Sequence, residues 1–402
     1  MTTRGSDDES TMAGGDESTV GGEDGGSEDA GRGDGGRVDG KSGDAGHMNA
    51  TKDEVVTLAH GAGGSSSRSL IEDLVLSRFD GTDGDSDGAI DSDTTSEIGL
   101  PELDDGSVHS LGEAGSLVVT TDSHVVKPPF FPGGDVGKLA IAGTVNDLAV
   151  MGATEPLALT SSLVLEEGFP ISRLERVLDS MVSTCREAGA TITTGDTKVM
   201  GRGEVDGIVI TTTGVALVPQ GEAVSDAGLR PGDALVVSST VGDHGIALLA
   251  EREGFDFGGG LESDVAPLNG LVRKALDAGA VTAMKDPTRG GLATALVEMA
   301  TKADVGLALA EPDVPVDDAT AAAGEILGID PLTIANEGVV VFGVDPDDVD
   351  AVLAAVRSHP LGGDAAVIGH AVDNHTGRVV LDTGFGRRYL TEPEGETLPR
   401  IC

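Results

Sequence analysis

Apolar residues along this chain fall into runs of two kinds, short strand-like stretches and longer stretches with helical spacing, and their alternation sets out the elements. A brief apolar run, Val55-Val56-Thr57-Leu58, leads through a glycine-rich loop to a helix over Ser69 to Phe79. Leu117 to Thr121 reads as a strand ending on Asp122-Ser123, and Gly137 to Gly152 has the length and apolar content of a helix. The cleanest helix follows Gly168-Phe169-Pro170. Pro170 suits a first-turn position, Leu174, Val177, Leu178, Met181, Val182 and Cys185 recur at helical spacing, and Gly189 can end the helix. A strand over Ala190 to Thr194 is expected to deliver Gly195-Asp196-Thr197-Lys198 into a turn, and Gly207 to Val218, rich in β-branched residues, closes a first domain. Pro231-Gly232-Asp233 opens a second. It has strands at Ala234 to Ser238, Val339 to Val344 and near Val367 and Val379. Its helices cover Ile246 to Arg252, about Leu268 to Ala278, the stretch bearing Leu292, Leu296 and Met299, and about Val349 to Arg357. The pattern predicts a two-domain α/β (α+β) protein.

Three stretches stand outside it. The first 47 residues hold no Ile, Leu or aromatic side chain and cannot bury enough apolar surface to offset ordering entropy. Residues 1–47 are therefore expected to be a disordered acidic tail, with Met48 a candidate start. Asp80 to Glu97, acidic with no base, reads as a surface insertion (80–97) in a first domain spanning 48–218. The second domain spans 219–392, and 393–402 is expected to be a mobile arm. With 69 acids against 26 bases the formal charge is −43, which makes nucleic acid and anionic membranes poor partners and suits a salt-rich, halophilic cytoplasm. Two cysteines, Cys185 and Cys402, cannot build a disulfide framework. No apolar run approaches a membrane span and nothing resembles a signal peptide, so a cytoplasmic protein is expected.

The candidate chemistry lies in loops. His60-Gly61-Ala62-Gly63-Gly64-Ser65 precedes a helix, where glycines let backbone N–H groups approach phosphates, although a tight turn explains it as well. Asn146-Asp147 interrupts an apolar helix, and a polar pair buried there must be partnered or liganded. Asp196 and Lys198 follow a strand, where α/β proteins place ligands; an exposed turn is the plain alternative. His244 has no partner at ligand spacing and reads as a loop hydrogen-bonder. Neither a P-loop ending nor a dinucleotide fingerprint is present, yet acids beside glycine loops suggest a Mg-nucleotide. Cys185 belongs to a helix stripe and reads as core, whereas Cys402 is a thiol on a tether. Its neighbouring carboxylate disfavours the thiolate and Arg400 only partly offsets this, so reaction there requires a docked site.

Together several motifs carry a family resemblance. They are His60-Gly61-Ala62-Gly63-Gly64, Thr121-Asp122-Ser123, Phe130-Phe131-Pro132-Gly133-Gly134 with Gly137-Lys138-Leu139-Ala140, Gly143-Thr144-Val145-Asn146-Asp147, Leu165-Glu166-Glu167-Gly168, Thr194-Gly195-Asp196-Thr197-Lys198, Gly242-Asp243-His244-Gly245, Asp286-Pro287-Thr288-Arg289-Gly290-Gly291, Ala335-Asn336-Glu337-Gly338 and Pro399-Arg400-Ile401-Cys402. From about Leu58 to Cys402 the chain resembles the HypE family of hydrogenase maturation factors, in the superfamily of aminoimidazole ribonucleotide synthetase and selenophosphate synthetase. The resemblance implies a PurM-like architecture with ATP and Mg²⁺ in a cleft at a homodimer interface. It implies that Asp122, Asp147 and Asp196 serve the metal and phosphates, with His60, Gly61, Gly63, Gly64, Lys138, Asn146, Gly195 and Thr197 around the nucleotide. By the same resemblance the carbamoyltransferase HypF loads Cys402 with a carbamoyl group, and ATP drives its dehydration to thiocyanate with Lys198 and Glu337 assisting deprotonation. The cyanide then goes to the iron of [NiFe]-hydrogenase on a HypC–HypD complex. A thiamine-monophosphate kinase, a selenophosphate synthetase and a non-catalytic thiol carrier are the alternatives; the second is disfavoured by Ala62 and Ser65 in the N-terminal loop.

Overall fold

The computed structural model describes residues 55–61, 64–79, 96–255, 260–393 and 401. The acidic tail 1–47 and Met48, the insertion up to residue 95, Ala62 and Gly63, residues 394–400 and Cys402 lie outside them. The first domain holds a six-stranded sheet, taken in chain order as β1 (Ser96–Ile98), β2 (Ser107–Ser110), β3 (Ser116–His124), then, after a two-stranded ribbon β4 (Phe130–Phe131) and β5 (Gly134–Asp135), β6 (Pro156–Glu166), β7 (Ile192–Met200) and β8 (Ile208–Val218). Its spatial order is β1-β2-β3-β8-β6-β7, antiparallel except for the β6–β7 pair. The second domain holds β9 (Ala234–Val237), β10 (Val281–Lys285), β11 (Gly306–Ala310), β12 (Val341–Val344), β13 (Ala366–Val372), β14 (Val379–Asp382) and β15 (Arg387–Leu390) in the order β10-β12-β9-β13-β11-β14-β15. There only β11 and β14 run parallel. Both domains are therefore mixed-sheet, as the α/β (α+β) pattern predicts. No described helix is long and apolar enough to cross a membrane.

Helix boundaries follow the local signals. Pro170 caps the Ile171–Ala188 helix and Gly189, at φ 68°, ends it in the left-handed region that glycine adopts without penalty. Val177, Met181 and Cys185 turn inward, while Leu178 and Val182 of the same stripe stay exposed. The expected turn at Gly195–Lys198 is different: these residues continue β7, because β6 supplies a parallel partner through Glu166 and Met200. That pairing is long-range, and nothing local announces it. β6 itself, β10 and β11 likewise lie in stretches where the pattern alone shows no strand.

The centre of the molecule is the Val136–Val150 helix, which is buried on every side. Its N-terminus is capped by Asp135, which accepts from the Gly137 and Lys138 N–H groups at 2.8 and 3.0 Å. One side lies on the first sheet, where Thr212 Oγ1 donates to the Ala140 carbonyl at 3.0 Å. Gly214 permits this approach, since a Cβ there would stand 2.8 Å from both Leu148 Cδ1 and Thr144 Cγ2. At its far end Ala149 and Val150 join the second domain's core with Leu268, Leu271 and Phe342. Asn146, 1 % exposed, makes the polar tie across this junction. Its amide donates to the Ala266 and Glu337 carbonyls at 3.1 and 3.3 Å, and its oxygen accepts from Leu268 N at 2.7 Å.

Asn146→Ala should thus destabilise by roughly 2–4 kcal/mol, because it leaves buried backbone groups on the second domain without partners. Ile141→Val in the same helix should cost only about 1 kcal/mol. Thermal melting of both variants checks the difference, and an Asn146→Ala protein as stable as Ile141→Val would show that the tie is dispensable.

Candidate active site

Strand alternation puts Thr120, Asp122 and His124 of β3 on the side of the sheet that carries the central helix. There Thr120 Oγ1 donates to Asp147 Oδ2 at 2.8 Å, and His124 Nε2 lies 3.7 Å from Asp122 Oδ2. Asp105, from the loop before β2, and Asp286, directly after β10, approach the same place. Glu337, 4 % exposed, approaches from the loop before β12. Gly338 is required beside it, since any side chain there would meet the Asp264 backbone. Glu337 N donates to Asp264 Oδ1 at 3.0 Å.

These acids repel one another in a desolvated place. Burial first, then the charges of Asp286, Asp122 and Asp105, holds Asp147 well above the usual carboxylate range. Burial, with Asp286, Asp264 and Asp122, does the same to Glu337. Burial pushes Asp105 up to about 8, against the pull of Lys285, and Asp264 to about 7; Asp286 is raised to about 6, again chiefly by burial. Positive charge is sparse by comparison. Lys285 meets Asp105 at 3.0 Å and Asp226 at 2.9 Å, and Arg289 acts on Glu337 from a distance. Asp105 Oδ2, Asp264 Oδ2 and Glu337 Oε1 have no hydrogen-bond partner among the described residues. Buried carboxylates facing one another with bare oxygens fit a polyvalent cation. Among the described residues no three of them converge into a metal-holding group.

The residues singled out in the sequence divide into two sets. Asp122, Asp147 and Glu337 belong to this cleft. Gly61 is linked to it, its carbonyl accepting from Arg289 Nη1 at 3.1 Å, with His60 in the same turn accepting from Thr57 N at 3.0 Å. Gly64 opens a short helix whose Arg68 meets Glu298 and Glu392 at 3.1 and 2.6 Å; Gly63 lies outside the described residues. Asn146 is adjacent, but its amide is taken up by backbone. Lys138 sits at the opposite end of the central helix from Asp147, roughly 13 Å away by helical rise, and donates to the Gly133 carbonyl at 3.1 Å. Gly195, Asp196, Thr197 and Lys198 stand on the exposed edge strand. Asp196 is in register with Ser162, Thr211 and Ser123, one residue out of phase with the row Asp122, Thr212 and Ser161. A one-residue offset reverses the face, so Asp196 and Lys198 occupy the uncovered side of the sheet, three strands from Asp122. Lys198 is 66 % exposed and holds Asp196 at 2.7 Å, which lowers the Asp196 carboxyl below its usual range. Asp105, Asp264, Asp286, Lys285 and Arg289 were not among the residues singled out. The Asp286-to-Gly291 motif was the available signal for two of them.

The cleft makes stability depend on pH in a definite direction. Each raised acid binds its proton more tightly folded than unfolded, so stability is gained as pH falls through the folded values, from about 8 toward the ordinary carboxylate range. His244, held down near 4 by burial, and His124, also lowered by burial, work in the opposite sense only below about 6.5. In metal-free buffer the melting temperature should rise between pH 8 and pH 6.5. Millimolar Mg²⁺ should flatten that slope by replacing the protons, and Asp286→Asn should weaken it. A melting temperature that falls over this interval would mean that the carboxylates do not share a buried field.

Both domains of the chain are similar to known proteins. Residues 103–218 match the N-terminal domain of AIR synthase related proteins and residues 230–382 the C-terminal domain. The carbamoyl dehydratase HypE of Rhizobium leguminosarum bv. viciae is 44 % identical over 86 % of this chain and 95 % of the relative. A crystal structure of a HypE–HypF complex superposes with a TM-score of 0.72 at 40 % identity, covering 81 % of this chain and 99 % of that one. One of a hydrogenase maturation protein HypE in complex with ATP gives 0.70 at 39 %, covering 87 % and 100 %. With both domains matched and nearly the whole of its relatives covered, the chain belongs to the HypE carbamoyl dehydratases, within the AIR synthase related proteins.

Proposed function

We propose that this enzyme dehydrates an S-carbamoyl group on Cys402 to a thiocyanate at the expense of ATP, supplying cyanide for the iron of a [NiFe]-hydrogenase. One observation carries the reading above all. Ile401, the residue bonded to Cys402, is 6 % exposed, and its carbonyl accepts from His244, on the helix whose Gly245 N–H donates to Ala335 O at 3.1 Å beside Asn336-Glu337. The chain end is thereby held at Ile401, close to the loop that carries Glu337, rather than left frayed.

An amide oxygen is a poor leaving group. Transfer of the γ-phosphoryl group to the thiocarbamate oxygen, with ADP leaving, converts its departure into loss of phosphate. The nitrogen gives up two protons, one as the oxygen is phosphorylated and one as phosphate leaves and the C≡N bond forms. Glu337, with its raised proton affinity and shielded position, suits the role of base. Asp122 and Asp147 would hold Mg²⁺, which when bound neutralises charge on the phosphates. Arg289, which also acts on Glu337, holds the Gly61 carbonyl.

Lys198 and Asp196 have no route to the acids of their own chain. The uncovered face that bears them also carries hydroxyl pairs, Thr121 with Thr213 at 2.9 Å and Ser123 with Thr211 at 2.8 Å, flanked by exposed Leu217. Packing two such faces in a homodimer would cover this surface, Lys198 and Asp196 included. HypF, as carbamoyl donor, and a HypC–HypD complex, as cyanide acceptor, are the proposed protein partners, in the cytoplasm.

Intact-mass measurement after incubation with HypF, carbamoyl phosphate and ATP should show gain of one carbamoyl group and then ATP-dependent loss of one water. Cys402→Ala should abolish both while still binding ATP. Asp147→Asn should accept the carbamoyl group yet dehydrate it at least about 100-fold more slowly. An adduct on Cys185, which is buried with its thiol pushed up by desolvation, would sink the assignment.

A further inference from the structure

His244 lies outside the acid cleft, yet it is fully buried and both of its ring nitrogens are engaged. Nε2 stands 2.8 Å from the Ile401 carbonyl oxygen, which can only accept, so Nε2 carries the proton. Nδ1, 2.7 Å from Ser263 Oγ, is then the acceptor and the serine hydroxyl donates. The same Oγ accepts from Val265 N at 3.1 Å, which leaves this hydroxyl a single orientation. Ser263 N in turn donates to the Pro132 carbonyl at 2.9 Å, and Gly133 allows the ribbon this close, since a Cβ there would stand 2.6 Å from Ser263 O. Phe131 closes the remaining side, its ring edge-on to the imidazole at 5.4 Å. Ile401 belongs to the same buried apolar cluster as Phe131, Leu248, Val265 and Ala335.

We propose that His244 is a positioning residue for the dehydration: a neutral imidazole, locked in one tautomer by Ser263, that seats the Ile401 carbonyl and so fixes where Cys402 can reach. Consecutive Cα atoms stand about 3.8 Å apart, so holding Ile401 limits how far the next residue can travel. Ser263 is followed by Asp264, whose carboxylate holds the Glu337 backbone, so the residue that orients the seat and the one that holds the proposed base are consecutive. Burial holds His244 down to about 4, so the ring stays neutral and both hydrogen bonds persist at working pH. His244 touches no reacting atom and serves by holding the peptide that does. The role rests on the function proposed above, but the seat itself does not.

The test uses the full chain with His244→Ala, His244→Gln and Ser263→Ala, melting temperatures reporting the fold. Hydrogen exchange of the C-terminal peptide reads the seat without any carbamoylation. His244→Ala should raise that exchange about tenfold, the worth of one lost buried hydrogen bond. His244→Gln keeps a donor near the Nε2 position and should remain within about twofold of wild type. In single turnovers of protein carbamoylated beforehand by HypF, His244→Ala should dehydrate roughly 10 to 100 times more slowly, with carbamoyl uptake no slower. Should His244→Ala fail to fold, Ser263→Ala frees the tautomer and should loosen the peptide by a smaller factor, with dehydration slowed in step. Unchanged exchange in the folded variants, or raised exchange with wild-type dehydration, overturns the proposal. Raised exchange in a chain that HypF never carbamoylates would defeat the functional reading and leave the seat standing.

Discussion

A helix enclosed by protein has no solvated side on which to carry polar residues, so each one it carries must be satisfied from within or become part of a site. The Val136–Val150 helix is under that constraint, between the first sheet and the second domain's core. Its two polar residues near the far end resolve it differently. Asn146 is completed by three backbone groups of the other domain and becomes the junction. Asp147 meets one hydroxyl and otherwise faces other carboxylates. Fold and site thus meet in two adjacent residues, one neutral and fully bonded, one acidic and short of partners.

The acid cleft is electrostatically unfavourable as it stands, and that is informative about what it suits. A buried carboxylate is stabilised by a base or by hydrogen bonds, and Asp226 shows the ordinary solution, with Lys285 at 2.9 Å and Lys302 at 2.6 Å. Among the described residues Asp147 and Glu337 have no lysine that close, and Lys285 and Arg289 act on Asp286 and Glu337 only weakly against burial. The raised proton affinity of these acids records the cost of desolvating like charges side by side, a cost that protons or a cation would relieve.

Local chemistry made much of this legible in the sequence. Pro170 and Gly189 bracket their helix because proline fixes φ and glycine tolerates the left-handed turn, both properties of single residues. The Gly207–Val218 run of β-branched residues becomes β8 for the same kind of reason. What stayed hidden depends on pairing or desolvation. Gly195 to Lys198 belongs to a strand only because β6 lies alongside. Asp105 looks like any of the 69 acids until burial separates it from the solvating majority, and Asp286 showed only as part of a glycine-rich motif. Ile401 gave no sign of docking, since an isoleucine near a chain end reads as frayed until His244 and an apolar pocket receive it.

The phase of one edge strand has a consequence for what the sheet presents to its surroundings. β7 turns Lys198 to the side of the sheet away from the acids, and no side-chain rotation carries it through a hydrogen-bonded sheet. Lys198 and Asp196 are thus offered to whatever covers that face, and a change of one residue in the strand register would turn the pair inward instead.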